Sequence, residues 1–331
     1  MSILNSERKL GAFIVPTGIG ASIGGYAGDA GAVARKFSQK YDLIVNPNVV
    51  NAGGFSAITP EMLYVEGYSL DSFFKGEINL IPSQNNKIGI IYDKAVPQDV
   101  LNIHINTQNA VKAVYGIDIN DYEITEQEVG VKFFLTEDNV SLGNVENIET
   151  LDNACEKLLI KGCNAIAIVC LFDEAEDLNT DYSNGLGTDP VGGVEAIISH
   201  YISKKYRVPA AHSPAFCDYS ITTELVNPKS ASEYITPTFL PCILLGLAQS
   251  PLITTDLDNG INIKDLDFLV MPYNSLGSTP VFESVKRNIT VYAVLENQTQ
   301  TDVKKSDLFK DAKNIIEVKT YKEVFELLSD K

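Results

Sequence analysis

The chain contains no tryptophan, and only three methionines and three histidines among its 331 residues. His104, His200 and His212 lie too far apart to make a zinc site by spacing, so no metal centre is expected from them. Basic residues are also scarce. Lys and Arg number 26 against 43 Asp and Glu, a net charge of −17. Nucleic-acid binding needs clustered cations to neutralise phosphate, and none are present. The same imbalance disfavours an anionic membrane surface. No stretch approaches the roughly 20 apolar residues of a membrane span. Met1 to Leu10 lacks the apolar core of a signal peptide. The five cysteines form no Cys-x-x-Cys pair, and their odd number fits free thiols in a reducing compartment. These absences together predict a cytoplasmic protein with a small-molecule substrate.

What the sequence does hold is a set of short, continuous apolar runs alternating with helical patterns. Two runs are close parallels: Asn164-Ala-Ile-Ala-Ile-Val-Cys170 and Asp267-Phe-Leu-Val-Met-Pro-Tyr273. Each is too short for a buried helix and breaks into a polar loop, as does a parallel strand covered on both faces. Gly11–Val15, Asp42–Val45, Met62–Val65, Lys87–Ile91, Val208–His212 and Asn288–Leu295 read as further strands. Helices are expected over Asp29–Gln39, Asp99–Tyr115 (stopping at Gly116) and Glu146–Lys161 (stopping at Gly162), then from Asp189, Pro241 and Pro280. This alternation predicts an α/β fold of two parallel-sheet lobes, with a cleft at the carboxyl ends of the strands. Pro82 to Asn86 reads as a linker. It separates an N-terminal α/β segment, residues 1–85, from an α/β region, residues 86–331, that can itself split into two lobes.

Strand ends nominate the chemistry. Cys170 is the one thiol at a strand's carboxyl end, Tyr273 is placed alike, and His212 ends its own strand with a pKa suited to acid or base work. Cys170, His212 and Tyr273 are therefore the candidate catalytic residues. The first strand opens into Pro16-Thr-Gly-Ile-Gly-Ala-Ser-Ile-Gly-Gly25. Its third glycine, Gly24, falls one residue late for a dinucleotide fingerprint, and no Gly-Lys-Ser/Thr follows. Thr17, Gly18 and Gly20 still offer a hydroxyl and backbone N–H groups to a carboxylate or phosphate. Asn51, Asn274, Ser275, Ser278, Thr279 and Asn297 complete the expected substrate-binding set, several of them before the helix at Pro280. Asp177-x-Asn179-x-Asp181 starts like a calcium loop, but Tyr182 stands at its glycine position and Thr188 at its bidentate glutamate position. No cofactor is called for, while magnesium or a nucleotide remains compatible with the sequence, as does a homo-oligomer.

Several longer motifs carry a resemblance. They are Pro16 to Asp29, Asp189-Pro-Val-Gly-Gly-Val-Glu-Ala-Ile-Ile-Ser-His200, Pro209-Ala-Ala-His-Ser-Pro-Ala215 and Phe239-Leu-Pro-Cys242. Together they resemble a family labelled only as a domain of unknown function, which implies no activity. A looser pattern, Lys87–Ile91, Leu151–Cys170 and Asp267–Asn297, is similar to the aspartate/glutamate racemase and maleate isomerase superfamily. That resemblance implies racemase-like or Rossmann-like lobes and a pair of catalytic Cys-Thr segments. Here Leu171 follows Cys170, and Tyr273-Asn274 replaces the second pair. One thiol facing one tyrosine implies one-sided proton delivery, as in an isomerase, lyase or decarboxylase acting on a small carboxylate or carbonyl metabolite. A nucleotide- or phosphate-metabolite enzyme using the Gly18 loop is one alternative. A non-catalytic metabolite-binding protein is the other.

Overall fold

A computed structural model describes residues 7–26, 28–84, 86–172 and 182–329. The calcium-like stretch Asp177 to Asp181 lies outside them. In chain order come β1 (Leu10–Phe13), α1 (Gly31–Ser38), β2 (Asp42–Val45), α2 (Pro47–Val50), β3 (Asn51–Ala52) and β4 (Phe55–Ser56). They are followed by β5 (Met62–Tyr64), α3 (Gly67–Lys75) and β6 (Asn79–Ile81). The middle of the chain holds β7 (Ile88–Tyr92), α4 (Gln98–Tyr115), β8 (Ile119–Ile124), β9 (Val131–Leu135), β10 (Ser141–Val145) and α5 (Thr150–Ile160). Next are β11 (Ala165–Leu171), α6 (Gly192–Tyr206), β12 (Ala210–Ala215), α7 (Ala231–Tyr234) and α8 (Leu240–Ala248). The chain ends through β13 (Leu252–Thr254), β14 (Phe268–Pro272), α9 (Thr279–Lys286), β15 (Thr290–Val294), α10 (Lys305–Leu308), β16 (Ile315–Val318) and α11 (Tyr321–Ser329).

Two parallel sheets result, as the apolar runs predict. One is six-stranded, in the order β16-β15-β14-β1-β2-β5; the other is four-stranded, β12-β11-β7-β8. The partition at residue 85 does not follow the sheets. β1 lies between β2 and β14, so the larger sheet is built from both ends of the chain. A central parallel strand needs hydrogen-bond partners on both sides. The Ile14 N–H finds Val270 and the Leu10 N–H finds Asp267, each more than 250 positions away in sequence. The β9/β10 ribbon was not foreseen. Its sequence alternates buried with exposed residues and packs over α6, a different pattern from the doubly covered strands.

α8 ties the sheets together. Its sequence, Leu-Pro-Cys-Ile-Leu-Leu-Gly-Leu-Ala, is apolar all round, and such a helix must be enclosed. It packs on α4, β7, β11 and β12 on one side and on α2, β3 and β4 on the other. Leu240, Cys242, Ile243, Leu244 and Leu247 accordingly join one core cluster that takes in strands of both sheets.

The glycine-rich loop after β1 makes a second junction. Gly18 (φ +71°) and Gly20 (φ +59°) occupy the left-handed region that favours glycine. The Gly18 carbonyl accepts from the Ser141 N–H at 2.8 Å, and Ser141 Oγ accepts from the Gly193 N–H at 2.9 Å. A Cβ on Gly193 would stand 2.1 Å from the Ser141 carbonyl oxygen. Gly193→Ala gains up to about 1 kcal/mol of helix propensity, but overpacking against backbone costs typically 1–3 kcal/mol. The clash decides the sign. Gly193→Ala is expected to lower the urea midpoint, and an unchanged or raised midpoint would contradict the tight junction.

Candidate functional site

A cavity of about 340 Å³ opens where the larger sheet's strand ends meet α6, α7, α8 and β12. From the sheet side come Thr17 after β1, Asn46 after β2, Tyr64 at the end of β5, Glu66 just beyond it, and Ser278 ahead of α9. Opposite them stand Asp189, Glu195, His200, His212 and Glu233. The cleft was expected at the strand ends of both sheets. Only the larger sheet presents its ends; the smaller one offers α6 and the side of β12.

Of the residues nominated from sequence, Thr17, Asn51, His212 and Ser278 line this cavity. Cys170 does not. Along β11, Ala165, Ala167 and Val169 join the core shared by both sheets. Ile166, Ile168 and Cys170 turn to the opposite face, with Phe172, Val194 and Ile198. A doubly covered strand has no solvent face, so a thiol near its end has no access to substrate. Burial pushes the Cys170 thiol well above its ordinary pKa, with the nearby Asp93 charge adding to the rise. Tyr273 lies in the turn just after β14 of the larger sheet, beside Lys304, whose Nζ lies 6.0 Å from its ring. The expected pairing of Cys170 with Tyr273 is thus replaced by two residues at different sheets, neither of them at the cavity.

The polar residues after β14 and β15 prove to be locks rather than ligand contacts. Asn274 is buried and donates to the Thr299 carbonyl while accepting from its N–H, at 2.9 and 2.8 Å. Asn297 donates to the Ile23 carbonyl and the Tyr321 hydroxyl, both at 2.7 Å, and accepts from the Ile23 N–H at 3.0 Å. Ser275 Oγ donates to the Pro272 carbonyl at 3.2 Å. Thr279 bonds the Asp71 carboxyl across the α3–α9 contact. The Gly18 carbonyl is committed to the loop junction, and the N–H groups of Ser22, Ile23 and Gly24 further along the loop bond Gln298, Asn297 and Asp29. Gly18 and Gly20 are not among the residues lining the cavity.

His212 lines the cavity, but its role differs from the expected base. Its Nε2 accepts from the Cys170 backbone N–H at 3.3 Å, and its ring stacks on Phe172 at 5.1 Å. This contact assigns the proton of the neutral ring to Nδ1, which faces Glu195 Oε1 at 3.5 Å. Burial lowers the His212 pKa to about 3. A histidine whose lone pair is already bonded cannot collect a proton from a ligand; it orients Glu195.

The titratable groups that sequence reasoning passed over are carboxyls. Asp189 was read only as a helix cap. Its side chain does accept from the Val191 N–H at 3.0 Å, ahead of a helix that begins at Gly192. Glu195 sits in the first turn of α6 and Glu233 on α7, where Tyr182 bonds it. Burial raises the pKa of all three, that of Glu195 to about 8. The neighbouring carboxyls raise Asp189 and Glu233 further. Among the described residues, no lysine or arginine lines the cavity, and the causes of these shifts include no adjacent cation. Tyr64 is buried, and its hydroxyl accepts from Asn51 Nδ2 at 3.1 Å. His200 also lines the cavity, with Nε2 3.5 Å from Glu66 Oε2. Cys242 is buried and also lines the cavity; burial pushes its thiol up to about 12. Among the described residues, no group of three or more His, Cys, Asp or Glu is placed to hold a metal ion.

The family described as "Protein of unknown function (DUF3326)" matches residues 11–330. The chain belongs to this family. An uncharacterised lipoprotein of Synechococcus sp. is 35% identical over 301 residues, covering 89% of this chain and 84% of the relative. That relative overturns the expected cytoplasmic location. Among the described residues, no helix is long and apolar enough to cross a membrane. No solved structure matches, so the racemase-like pattern finds no support.

The raised carboxyls make stability depend on pH with a definite sign. Between about 4.3, the value of an unfolded glutamate, and about 8, the folded chain holds a proton at Glu195 that the unfolded chain has released. Stability therefore falls as pH rises through this window and levels off above it. A tenfold difference in proton affinity is worth about 1.4 kcal/mol. Glu195→Gln, neutral throughout, is expected to melt higher than the parent at pH 8.5 and to show a shallower decline from pH 5. Parallel pH–Tm curves for the two proteins would contradict the enclosed carboxyl.

Proposed function

We propose that this family member is a small-molecule enzyme that transfers protons beside a carbonyl, as an isomerase or lyase does, with Glu195 as the acid–base group. The observation that carries this reading is the Glu195 carboxyl, enclosed in the cavity with a pKa lifted to about 8. A general acid or base works best when its pKa lies near the operating pH, and such displaced values cluster at functional sites. Glu195, once ionised, would take the proton from carbon and return it, with His212 Nδ1–H steadying the carboxylate before the first transfer and again after the return. Burial raises the Tyr64 pKa further above its ordinary value, so its hydroxyl keeps its proton. Having accepted from Asn51, that hydroxyl is free to donate to the oxygen on which charge develops.

The cavity narrows the substrate expected from sequence. A carboxylate would meet Glu66, Asp71, Asp189, Glu195 and Glu233 with no Lys or Arg among the lining residues, so the carbonyl alternative is the one favoured. A metabolite-binding protein without chemistry is the second reading, suggested by the lipoprotein name of the cyanobacterial relative.

Incubation with small hydroxy- and aminoketones in heavy water, followed by NMR, separates the two. Deuterium is expected at the carbon beside the carbonyl. Glu195→Gln should slow exchange by about 10²- to 10⁴-fold, the usual contribution of a positioned acid–base group, while Cys170→Ala leaves it in place. Exchange that survives Glu195→Gln, or is lost with Cys170, would overturn the assignment. Binding without exchange would support the second reading.

A further inference from the structure

The cavity walls contain an unbalanced charge set. On the larger sheet's side, Glu66 caps α3 by accepting from the Tyr68 and Ser69 N–H groups, each at 2.9 Å, and Asp71 stands one turn further on. On the other side Asp189, Glu195 and Glu233 converge from the approach to α6, from α6 itself and from α7. The remaining titratable groups are His200 beside Glu66, His212 beside Glu195, the Tyr26, Tyr64 and Tyr182 phenols, and the Cys242 thiol. Just outside, the Lys229 ammonium lies 5.4 Å from the Tyr26 ring centroid and donates to the Ser22 carbonyl at 2.7 Å. No full cation therefore opposes five carboxyl groups inside the walls.

A second feature points to a ligand independently of the acids. Tyr64 is 1% exposed and lines the cavity, and its hydroxyl accepts from Asn51 without a described acceptor for its own proton. Asn51 Oδ1 is buried, and among the described residues it has no hydrogen-bond partner either. Buried polar groups are almost always paired. This pair leaves one donor and one acceptor for a bound molecule.

We propose that the site selects a small organic cation, an ammonium or amidinium compound, and that its binding expels protons from the cavity. The inference rests on the proposed function only in placing the ligand in this cavity; it requires no turnover. The positive group stands among Asp189, Glu195 and Glu233, supplying the missing counter-charge, and a polar group elsewhere on the ligand meets Tyr64 and Asn51. An opposite charge a few ångströms away favours the ionised carboxyl. Proton release follows by linkage, and affinity rises with pH. The Tyr26 and Tyr182 rings, stacked at 5.1 Å, add aromatic surface beside the cation.

Three five-carbon probes test this on the full chain: 1,5-diaminopentane, xylitol and glutarate. Titration calorimetry at pH 6.0 and 8.5, in buffers of different ionisation enthalpy, reads affinity and proton release together. The diamine is expected to bind, to release protons, and to tighten by about tenfold per pH unit up to the Glu195 pKa of about 8, so on the order of 100-fold between pH 6.0 and 8.5, as linkage requires when one proton leaves. Glu233→Gln should weaken diamine binding, and Glu195→Gln should flatten its pH dependence. If either variant fails to fold, the parent's buffer dependence still decides. No diamine binding, equal or tighter binding of xylitol or glutarate, or binding without proton release would overturn the proposal. Diamine binding without deuterium exchange into any ketone would leave the cation specificity standing and remove the proton-transfer reading. Exchange into a neutral ketone without diamine binding would do the reverse.

Discussion

Enclosure of α8 is the constraint on which the rest of the arrangement depends. A nine-residue helix with no polar face can be stable only if both sheets close over it. That closure brings the strand ends of the larger sheet against α6 and β12. Gly246 permits the closest approach, since a Cβ there would lie 2.6 Å from the Tyr64 ring. Tyr64 in turn holds Asn51, and both stand on the cavity wall. The site is thus a consequence of packing the two sheets on one helix, and it belongs to neither sheet alone.

Within that enclosure, loss of solvent decides protonation. Glu195 has a neutral histidine as its neighbour, and burial holds its proton to about pH 8. His212 responds in the opposite direction because its charged form is a cation. The same low polarity therefore leaves both groups neutral near pH 7. Neutral groups cost less to bury than an ion pair whose desolvation the geometry cannot recover. They also leave the cavity ready to gain charge when a ligand brings its own. The family match assigns no reaction, so the chemistry proposed here comes from these residues and their surroundings.

The sheets were legible in sequence, but the site was only partly so. Continuous runs such as Asp42–Val45 and Asn164–Cys170 mark doubly covered strands because nothing in them alternates. That same lack of alternation hides which way each side chain turns, and Cys170 was placed at the cavity when it faces α6. Asn274 and Asn297 looked like ligand groups because they are polar and follow strands. Only three-dimensional contacts reveal that the backbone and Tyr321 already satisfy them. No motif or strand end in the sequence singles out Glu195 or Glu233. Their enclosure depends on α6 and α7 meeting strand ends more than 100 residues away in sequence, which no local pattern records. The Asp189 cap and the Gly192-Gly193 approach to Thr17 and Ser141 were the nearest signals available.

The central claim is that a cavity carboxyl keeps its proton at neutral pH. Carbon-13 labelling of glutamate side-chain carboxyls, with NMR titration from pH 3 to 10, reads this directly. The account predicts one resonance titrating near pH 8 that disappears in Glu195→Gln. If the resonance lost in that variant titrates in the ordinary glutamate range near 4.3, the enclosed acid–base group does not exist and the account fails.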